Sequence, residues 1–280
     1  MAVLGLCFSQ PGAEAGRLSL SAERGSYLLG EPVYLRIQSD INPVPALEEG
    51  AFALVILGPG GPERIYRPPL RLRTAGSGGR RLPGMDSAAE RIRFARIICE
   101  EDGLVFRKPG RYRLRLSALS DTLSIVFQAP ATEADKKAYA VLSRNPGEYG
   151  LAMYLEGGDQ LKEGMAIISE LAASQSAYTR AASFVLASDW SQDFIAYSGT
   201  GTRSLDLQKA LAWSQWDRNA GIYIPLRNAY RLQAAVEQAR RQSRSAPGLQ
   251  AARSKLQGFL ASLSPEERLW LRSFQPSANP

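Results

Sequence analysis

Hydrophobic and polar residues alternate along the first part of this chain, up to about Pro130, and then recur at a helical spacing. Alternation with a period of two is typical of β-strands with one buried face, whereas a period of roughly three and a half is typical of amphipathic helices. The 280 residues suffice for two hydrophobic cores of ordinary size. We therefore expect a multi-domain protein, with a β domain at residues 17–130 and an all-α domain at residues 131–280.

The first part predicts about seven short strands separated by turns rich in Gly, Pro and Asp, with no helical pattern between them. Strands spaced so closely are typical of a β-sandwich. On each strand, the apolar residues should face the interior and the alternating polar residues should face water. The predicted strands lie near residues 18–20, 33–37, 52–57, 64–66, 92–98, 112–116 and 123–127.

Two of these strands carry a family resemblance. Phe106, a Pro-Gly turn at residues 109–110 and Tyr112 lead into one of them, and residues 30–32 lead into the other. They resemble the penultimate and second strands of immunoglobulin-like and macroglobulin-like domains. The resemblance implies an immunoglobulin-like sandwich that serves as a binding or spacer module, as in bacterial envelope proteins. The chain departs from the antibody type, because the intersheet cysteine pair and the core Trp are missing from its sequence.

The second part predicts about eight helices, several of which begin at a recognisable capping residue. Thr132 and Asp159 are expected to cap helices, Ser176 is expected to start one, and residues 264–267 form a capping box with Pro at the first helical position. The fourth helix resembles helices of tetratricopeptide-like repeats, in which small residues allow close helix pairing. The resemblance implies an array of helical hairpins. It is carried by Ser176, Tyr178, Ala181, Ala182, Leu186 and Ala187.

The residue types needed for common catalytic sites are largely missing. The chain has no histidine, which removes the commonest general base and zinc ligand. No S-x-x-K, G-x-S-x-G or phosphate-binding glycine motif occurs. Cys7 and Cys99 match no metal or redox spacing and predict no disulfide framework, although a single bridge between them stays open as an alternative. We expect no catalytic residue, no metal and no cofactor. A pair of carboxylates, as in glycosidases, stays open as an alternative, while the acidic residues 100–102 are interpreted as solvated loop charges.

The formal net charge is +7, with 17 basic and 13 acidic residues before residue 131 and 17 and 14 after it. A surplus spread so evenly argues against nucleic-acid binding. Five arginines alternate with apolar positions and would share one outer sheet face if their strands pair. This cationic face would suit an acidic protein or an anionic envelope polymer, although an ordinary wet face paired with local acids is the alternative. The five are Arg91, Arg93, Arg111, Arg113 and Arg115.

Aromatic residues are concentrated in the helical part. A concave helical surface lined by them could anchor a peptide of another protein, because aromatic residues dominate binding hot spots. The alternative is that they belong to the hydrophobic core. The candidates for such a groove are Tyr178, Trp213, Trp216 and Tyr230.

Residues 2–8 form a short apolar run, and small residues follow at Ala13 and Ala15. This pattern indicates a signal peptide remnant at residues 1–16 that lacks its basic start, and hence export to the periplasm or the cell exterior. No later stretch is long and apolar enough to span a membrane. The sequence thus predicts a non-enzymatic, exported interaction or scaffold protein of the envelope. The alternatives are a carboxylate-dependent hydrolase or glycan-active enzyme, and a protease inhibitor that acts through residues 75–81.

Overall fold

The computed structural model describes residues 18–40, 53–69, 91–100, 103–117, 122–195, 202–242 and 247–274. The first part is built of strands and the second of helices with one short two-stranded sheet, which confirms the predicted order of β then α. The described strands are β1 (Leu18–Ala22), β2 (Ser26–Leu28), β3 (Val33–Ser39), β4 (Leu54–Leu57), β5 (Glu63–Ile65), β6 (Ile92–Ile97), β7 (Cys99–Glu100), β8 (Gly103–Leu104), β9 (Gly110–Leu116), β10 (Leu123–Gln128), β11 (Phe194–Ile195) and β12 (Thr202–Arg203). The described helices are α1 (Glu133–Leu142), α2 (Pro146–Leu155), α3 (Lys162–Ala172), α4 (Thr179–Trp190), α5 (Leu207–Trp213), α6 (Tyr223–Arg241), α7 (Leu249–Ala261) and α8 (Pro265–Arg272).

The strands of the first part form two main sheets. A three-stranded sheet has the order β1-β3-β6, and a five-stranded sheet has the order β2-β10-β9-β4-β5. Neighbouring strands run antiparallel, except that β2 runs parallel to β10. The short strands β7 and β8 form a separate hairpin, and β11 pairs with β12 among the helices.

Inward-facing residues of the two main sheets form one hydrophobic cluster between them. Leu35 and Ile37 contribute from the three-stranded sheet, and Ile56, Leu114 and Ile125 contribute from the five-stranded sheet. All five are 2% exposed or less. The alternation predicted Leu35, Ile37, Leu114 and Ile125 correctly, because successive side chains of a strand point to opposite faces, whereas Ile56 lies in a continuous apolar run that does not distinguish the two faces.

The alternation had led us to expect that the other face of the three-stranded sheet meets water. Helices cover this face instead. Tyr34 and Ile98 on that face belong to the hydrophobic cluster that also contains residues of α1, α2, α3, α4 and α6. The ring of Tyr34 stacks on Tyr223 at the start of α6, with 4.4 Å between the ring centroids. The strands and the helices therefore share a buried cluster, in addition to the cluster that lies between the two main sheets.

Two buried tyrosines bind the helices to the turn between β2 and β3. The hydroxyl of Tyr149 in α2 donates to the carbonyl oxygen of Gly30 at 3.0 Å. The hydroxyl of Tyr178, which precedes α4, donates to the carbonyl oxygen of Leu29 at 2.8 Å. These hydrogen bonds satisfy backbone acceptors that the packed helices remove from water.

The helix starts follow local sequence signals at some positions and not at others. Thr132 accepts a hydrogen bond from the third residue of α1, and Ser264 forms the predicted capping box of α8. The predicted cap at Asp159 is wrong, because α3 begins later, after Leu161, and the Asp159 carboxylate lies 3.4 Å from Arg203. Ser176 likewise lies in a turn ahead of α4, whose first residue is Thr179.

Among the described residues, no helix combines the length and the apolar composition that crossing a bilayer requires.

Candidate functional site

The outward side of the five-stranded sheet carries three of the five predicted arginines. Strand β9 places Arg111, Arg113 and Arg115 on that side, since Tyr112 and Leu114 between them point into the sandwich. The strand register places mostly apolar residues of β4, β5 and β10 on the same side as these arginines. We call the resulting surface the outer sheet face; its other residues are Val55, Leu57, Glu63, Ile65, Ser124 and Val126.

The charges of the outer sheet face are only partly neutralised. Arg115 lies 2.9 Å from Glu63 across the sheet. Arg111 and Arg113 are exposed, and neither has a carboxylate within ion-pair distance in the described part of the chain. Ile65 on the edge strand is 58% exposed, which is unusual for so large an apolar side chain. The face thus presents cationic and apolar groups side by side.

Arg91 and Arg93 do not belong to this surface, which corrects the prediction that all five arginines share one face. Strand β6 pairs with β3 in the three-stranded sheet, whereas β9 lies in the other sheet. The register places Arg93 opposite Ile37, at the rim of the inward side. The single-face prediction depended on β6 and β9 pairing, and that pairing does not occur.

The four predicted aromatic residues do not come together in one groove. Tyr178 is buried, with 1% of its surface exposed, in the cluster shared by strands and helices. Trp213 packs against that same cluster, whereas Trp216 and Tyr230 pack against the cluster formed by α5, α6, α7 and α8. Trp216 meets Phe259 edge to face at 5.0 Å. Their positions match the core alternative, and peptide binding by the three partly exposed rings stays a prediction.

A charged site that the sequence analysis missed lies where the three-stranded sheet meets the helices. Its centre is Glu156, which ends α2 in the left-handed conformation with φ of 61°. Gly157 and Gly158 follow, and they let the chain turn sharply enough to direct this carboxylate inward. Glu156 is 2% exposed.

Three guanidinium groups surround this carboxylate, and we call the four residues the Glu156 cluster. Nε of Arg227 donates to Oε1 at 2.8 Å, and Nε of Arg231 donates to Oε2 at 2.8 Å. Nη1 of Arg96, from strand β6, lies 3.5 Å from Oε1, and the hydroxyl of Ser188 donates to Oε2 at 2.9 Å. A second nitrogen of Arg96 donates to the backbone carbonyl of Tyr154.

The arginines dominate the electrostatics of the Glu156 cluster. Burial alone would raise the pKa of Glu156, but Arg227, Arg231 and Arg96 outweigh that effect and lower the pKa well below its usual range. The carboxylate is therefore ionised at neutral pH despite its burial. Since three positive charges face one negative charge, the cluster retains a positive excess.

A second carboxylate links the two parts of the chain. Glu23 follows β1 and accepts the backbone N–H of Tyr223 at the start of α6. Helix α6 has no capping side chain of its own, so a residue 200 positions earlier in the chain supplies the negative charge that a helix N-terminus favours. Burial raises the pKa of Glu23, against these backbone hydrogen bonds and the nearby Arg180.

The remaining predicted acids also have structural partners. Glu100 lies in the β7–β8 hairpin and pairs with Arg64, so it is not a solvated loop charge. Residues 101–102, the loop at residues 75–81, Cys7 and the proposed leader at residues 1–16 lie outside the described residues. Within the described ranges, no group of three or more His, Cys, Asp or Glu side chains could hold a metal ion. Cys99 is buried, and burial raises the pKa of its thiol to about 12, which leaves it unreactive.

The sequence contains one signal for the Glu156 cluster. Arg227 and Arg231 are four residues apart on α6 and therefore share a helix face.

Comparison with protein-family models, with curated proteins and with solved structures gave no match for this chain.

Proposed function

We propose that this chain is a non-enzymatic interaction protein whose outer sheet face binds an acidic segment of another protein. The observation that carries the proposal is the pair of exposed arginines, Arg111 beside Val126 and Arg113 beside Leu57, on the same face as the exposed Ile65 of the edge strand. Arginine forms bidentate pairs with carboxylates, and adjacent apolar side chains supply the contact area that ion pairs alone lack. Acidic segments with interspersed apolar residues complement both features.

The finer architecture is part of the same proposal. The packing of two main sheets, whose strands run mostly antiparallel, around one hydrophobic cluster supports an immunoglobulin-like sandwich. The hydroxyl of Tyr112 donates to the backbone carbonyl oxygen of Lys108, four residues earlier, at 3.0 Å. Such a tyrosine corner is common in these sandwiches. The successive packing of α2, α3 and α4 supports tetratricopeptide-like hairpins. Both architectures are used mainly as binding surfaces.

Export to the envelope is also proposed, and it depends on the apolar run and small residues at the start of the sequence. An anionic envelope polymer is the alternative ligand for the same face. Mass measurement of the protein from its native source tests the location, since cleavage near residue 15 supports export and an intact Met1 contradicts it.

The binding proposal is tested with the full chain and immobilised acidic peptides of mixed Glu and Leu composition. We expect the double variant Arg111→Glu/Arg113→Glu to lose at least tenfold in affinity, because both attractive charges become repulsive. Arg240→Glu/Arg253→Glu is the matched control, since it makes the same change in net charge at exposed positions of α6 and α7.

Peptides in which Gln replaces Glu should bind neither the wild type nor the double variant. Equal affinity of the wild type and the double variant would contradict the proposal. Binding to a polyanionic glycan but not to the peptides would overturn the choice of a protein partner and favour the polymer.

A further inference from the structure

The Glu156 cluster contains more hydrogen-bond donors than its single carboxylate can use. Each guanidinium has five N–H groups, whereas a carboxylate offers about four acceptor positions. Oε2 alone is contacted by Ser188, Arg227 and Arg231, at distances from 2.6 to 3.2 Å. The acceptor capacity of Glu156 is therefore exhausted by contacts already present.

No second acid balances the charge. Among the residues that the structure describes, Glu156 is the only carboxylate within ion-pair distance of Arg96, Arg227 or Arg231. Three guanidinium groups and one carboxylate leave an excess of two positive charges in surroundings rich in aromatic rings. The ring centroids of Tyr230 and Phe274 lie 5.1 and 5.3 Å from the central carbon of the Arg227 guanidinium.

The donor surplus extends into the interior. Nε of Arg96 and the hydroxyl of Tyr34 are buried and have no hydrogen-bond partner among the described residues. The two residues lie opposite each other on β6 and β3, on the side of the sheet that faces the helices. Buried donors without partners are costly and rare in native proteins, and these two show that donors outnumber acceptors at the inner end of the cluster as well as at Glu156 itself.

The cluster opens to solvent at one end. The exposed fraction of the side chain rises from 8% for Arg96 to 18% for Arg227 and 26% for Arg231. Arg227 and Arg231 are one turn apart on α6, and Glu156 holds both guanidinium groups in place from the buried side. Such preorganised guanidinium groups need little further ordering to bind a second anion.

We propose that the solvent-facing side of Arg227 and Arg231 binds a small oxyanion, a phosphate or a carboxylate group. The ligand would reduce the positive excess that Glu156 leaves, and it would stabilise the contact between the strands and the helices. This site is separate from the outer sheet face, because α6 packs against the other main sheet. Its test is therefore independent of the proposed function.

The experiment measures the thermal unfolding midpoint of the full chain as inorganic phosphate replaces chloride at constant ionic strength. We expect a rise of several degrees that saturates, and a half-saturating concentration at least tenfold higher for Arg231→Gln. Arg240→Gln, at an exposed position in the last turn of the same helix, is the matched control and should respond like the wild type.

Arg231→Lys keeps the positive charge but loses the planar guanidinium group. It replaces the Gln variant in the test if that variant does not fold, and we expect it to weaken phosphate binding at least threefold. Acetate in place of phosphate distinguishes a carboxylate ligand from a phosphate. No saturable response to either anion, or identical responses of wild type and both Arg231 variants, would overturn the proposal.

Discussion

The two sheets each have an outer face built on the same alternating pattern, yet the faces differ in what covers them. On β9, Arg111 and Arg113 alternate with buried residues and project into water. On β6, Arg96 occupies an equivalent position in the pattern but is buried beneath α2, α4 and α6. Alternation locates a strand and its two faces, but it does not reveal whether the polar face meets water or another layer of the protein.

The energetic roles of the two sets of arginines differ accordingly. An exposed arginine keeps its hydration, so its ion pairs contribute little to the free energy of unfolding. A buried arginine has lost that hydration and depends on its partner, so removing either member of the pair has a large effect. The predictions below test this difference.

The largest effect is expected from Glu156→Gln. It leaves Arg96, Arg227 and Arg231 without their common counter-charge, and we expect a loss of about 3–5 kcal/mol in the free energy of unfolding. Urea denaturation followed by circular dichroism measures it. Glu170→Gln is the control. It breaks a half-exposed ion pair, in which Nη2 of Arg144 lies 2.7 Å from Oε1 of Glu170, and it should cost at most about 1 kcal/mol. Equal losses in the two variants would contradict a structural role for the cluster.

The contribution of Glu156 should also depend on pH. Because the pKa of Glu156 is lowered in the folded protein, the stabilisation is fully present above the ordinary value of 4.5 and is lost as the pH falls below it. The difference in unfolding free energy between wild type and Glu156→Gln should therefore be constant from neutral pH to about 5 and shrink below 4.5.

Urea denaturation at a series of pH values checks this expectation. Glu23, whose pKa is raised, changes stability in the opposite direction, but it is present in both proteins and cancels in the difference. A difference that persists unchanged down to pH 3.5, on the order of one unit below the ordinary pKa, would show that the carboxylate is not held ionised by the arginines.

Apart from the helix starts at Asp159 and Ser176, the sequence analysis succeeded where structure depends on neighbouring residues, and it failed where structure depends on distant ones. The inward residues of β3 and the capping box at Ser264 follow from local spacing alone. The Glu156 cluster joins residues that are 60 and 71 positions apart, and no local pattern marks such a contact. Strand β2 has only three residues, too few to establish an alternation.

A smaller effect is expected at the tyrosines that bind the turn between β2 and β3. Tyr149→Phe and Tyr178→Phe each remove one buried hydrogen bond to a backbone carbonyl and should cost about 1 kcal/mol. Tyr139→Phe is the control, since the Tyr139 hydroxyl makes no hydrogen bond to a described residue and its loss should change stability by less than about 0.5 kcal/mol. If both interface variants matched the control, the tyrosine contacts would not stabilise the association of strands and helices.

The smallest effect is expected on the outer sheet face. Arg113→Gln removes an exposed guanidinium with no described ion pair, so the free energy of unfolding should change by less than about 0.5 kcal/mol. The same substitution at Arg96 should cost several times more, because it leaves the carbonyl of Tyr154 without its donor and removes a buried charge that faces Glu156. Equal costs would mean that Arg113 also serves the fold, and its exposure would then no longer favour a role in binding. A small cost at Arg113 together with a large one at Arg96 would instead separate the arginine that can be spared for a partner from the one that holds the sheet to the helices.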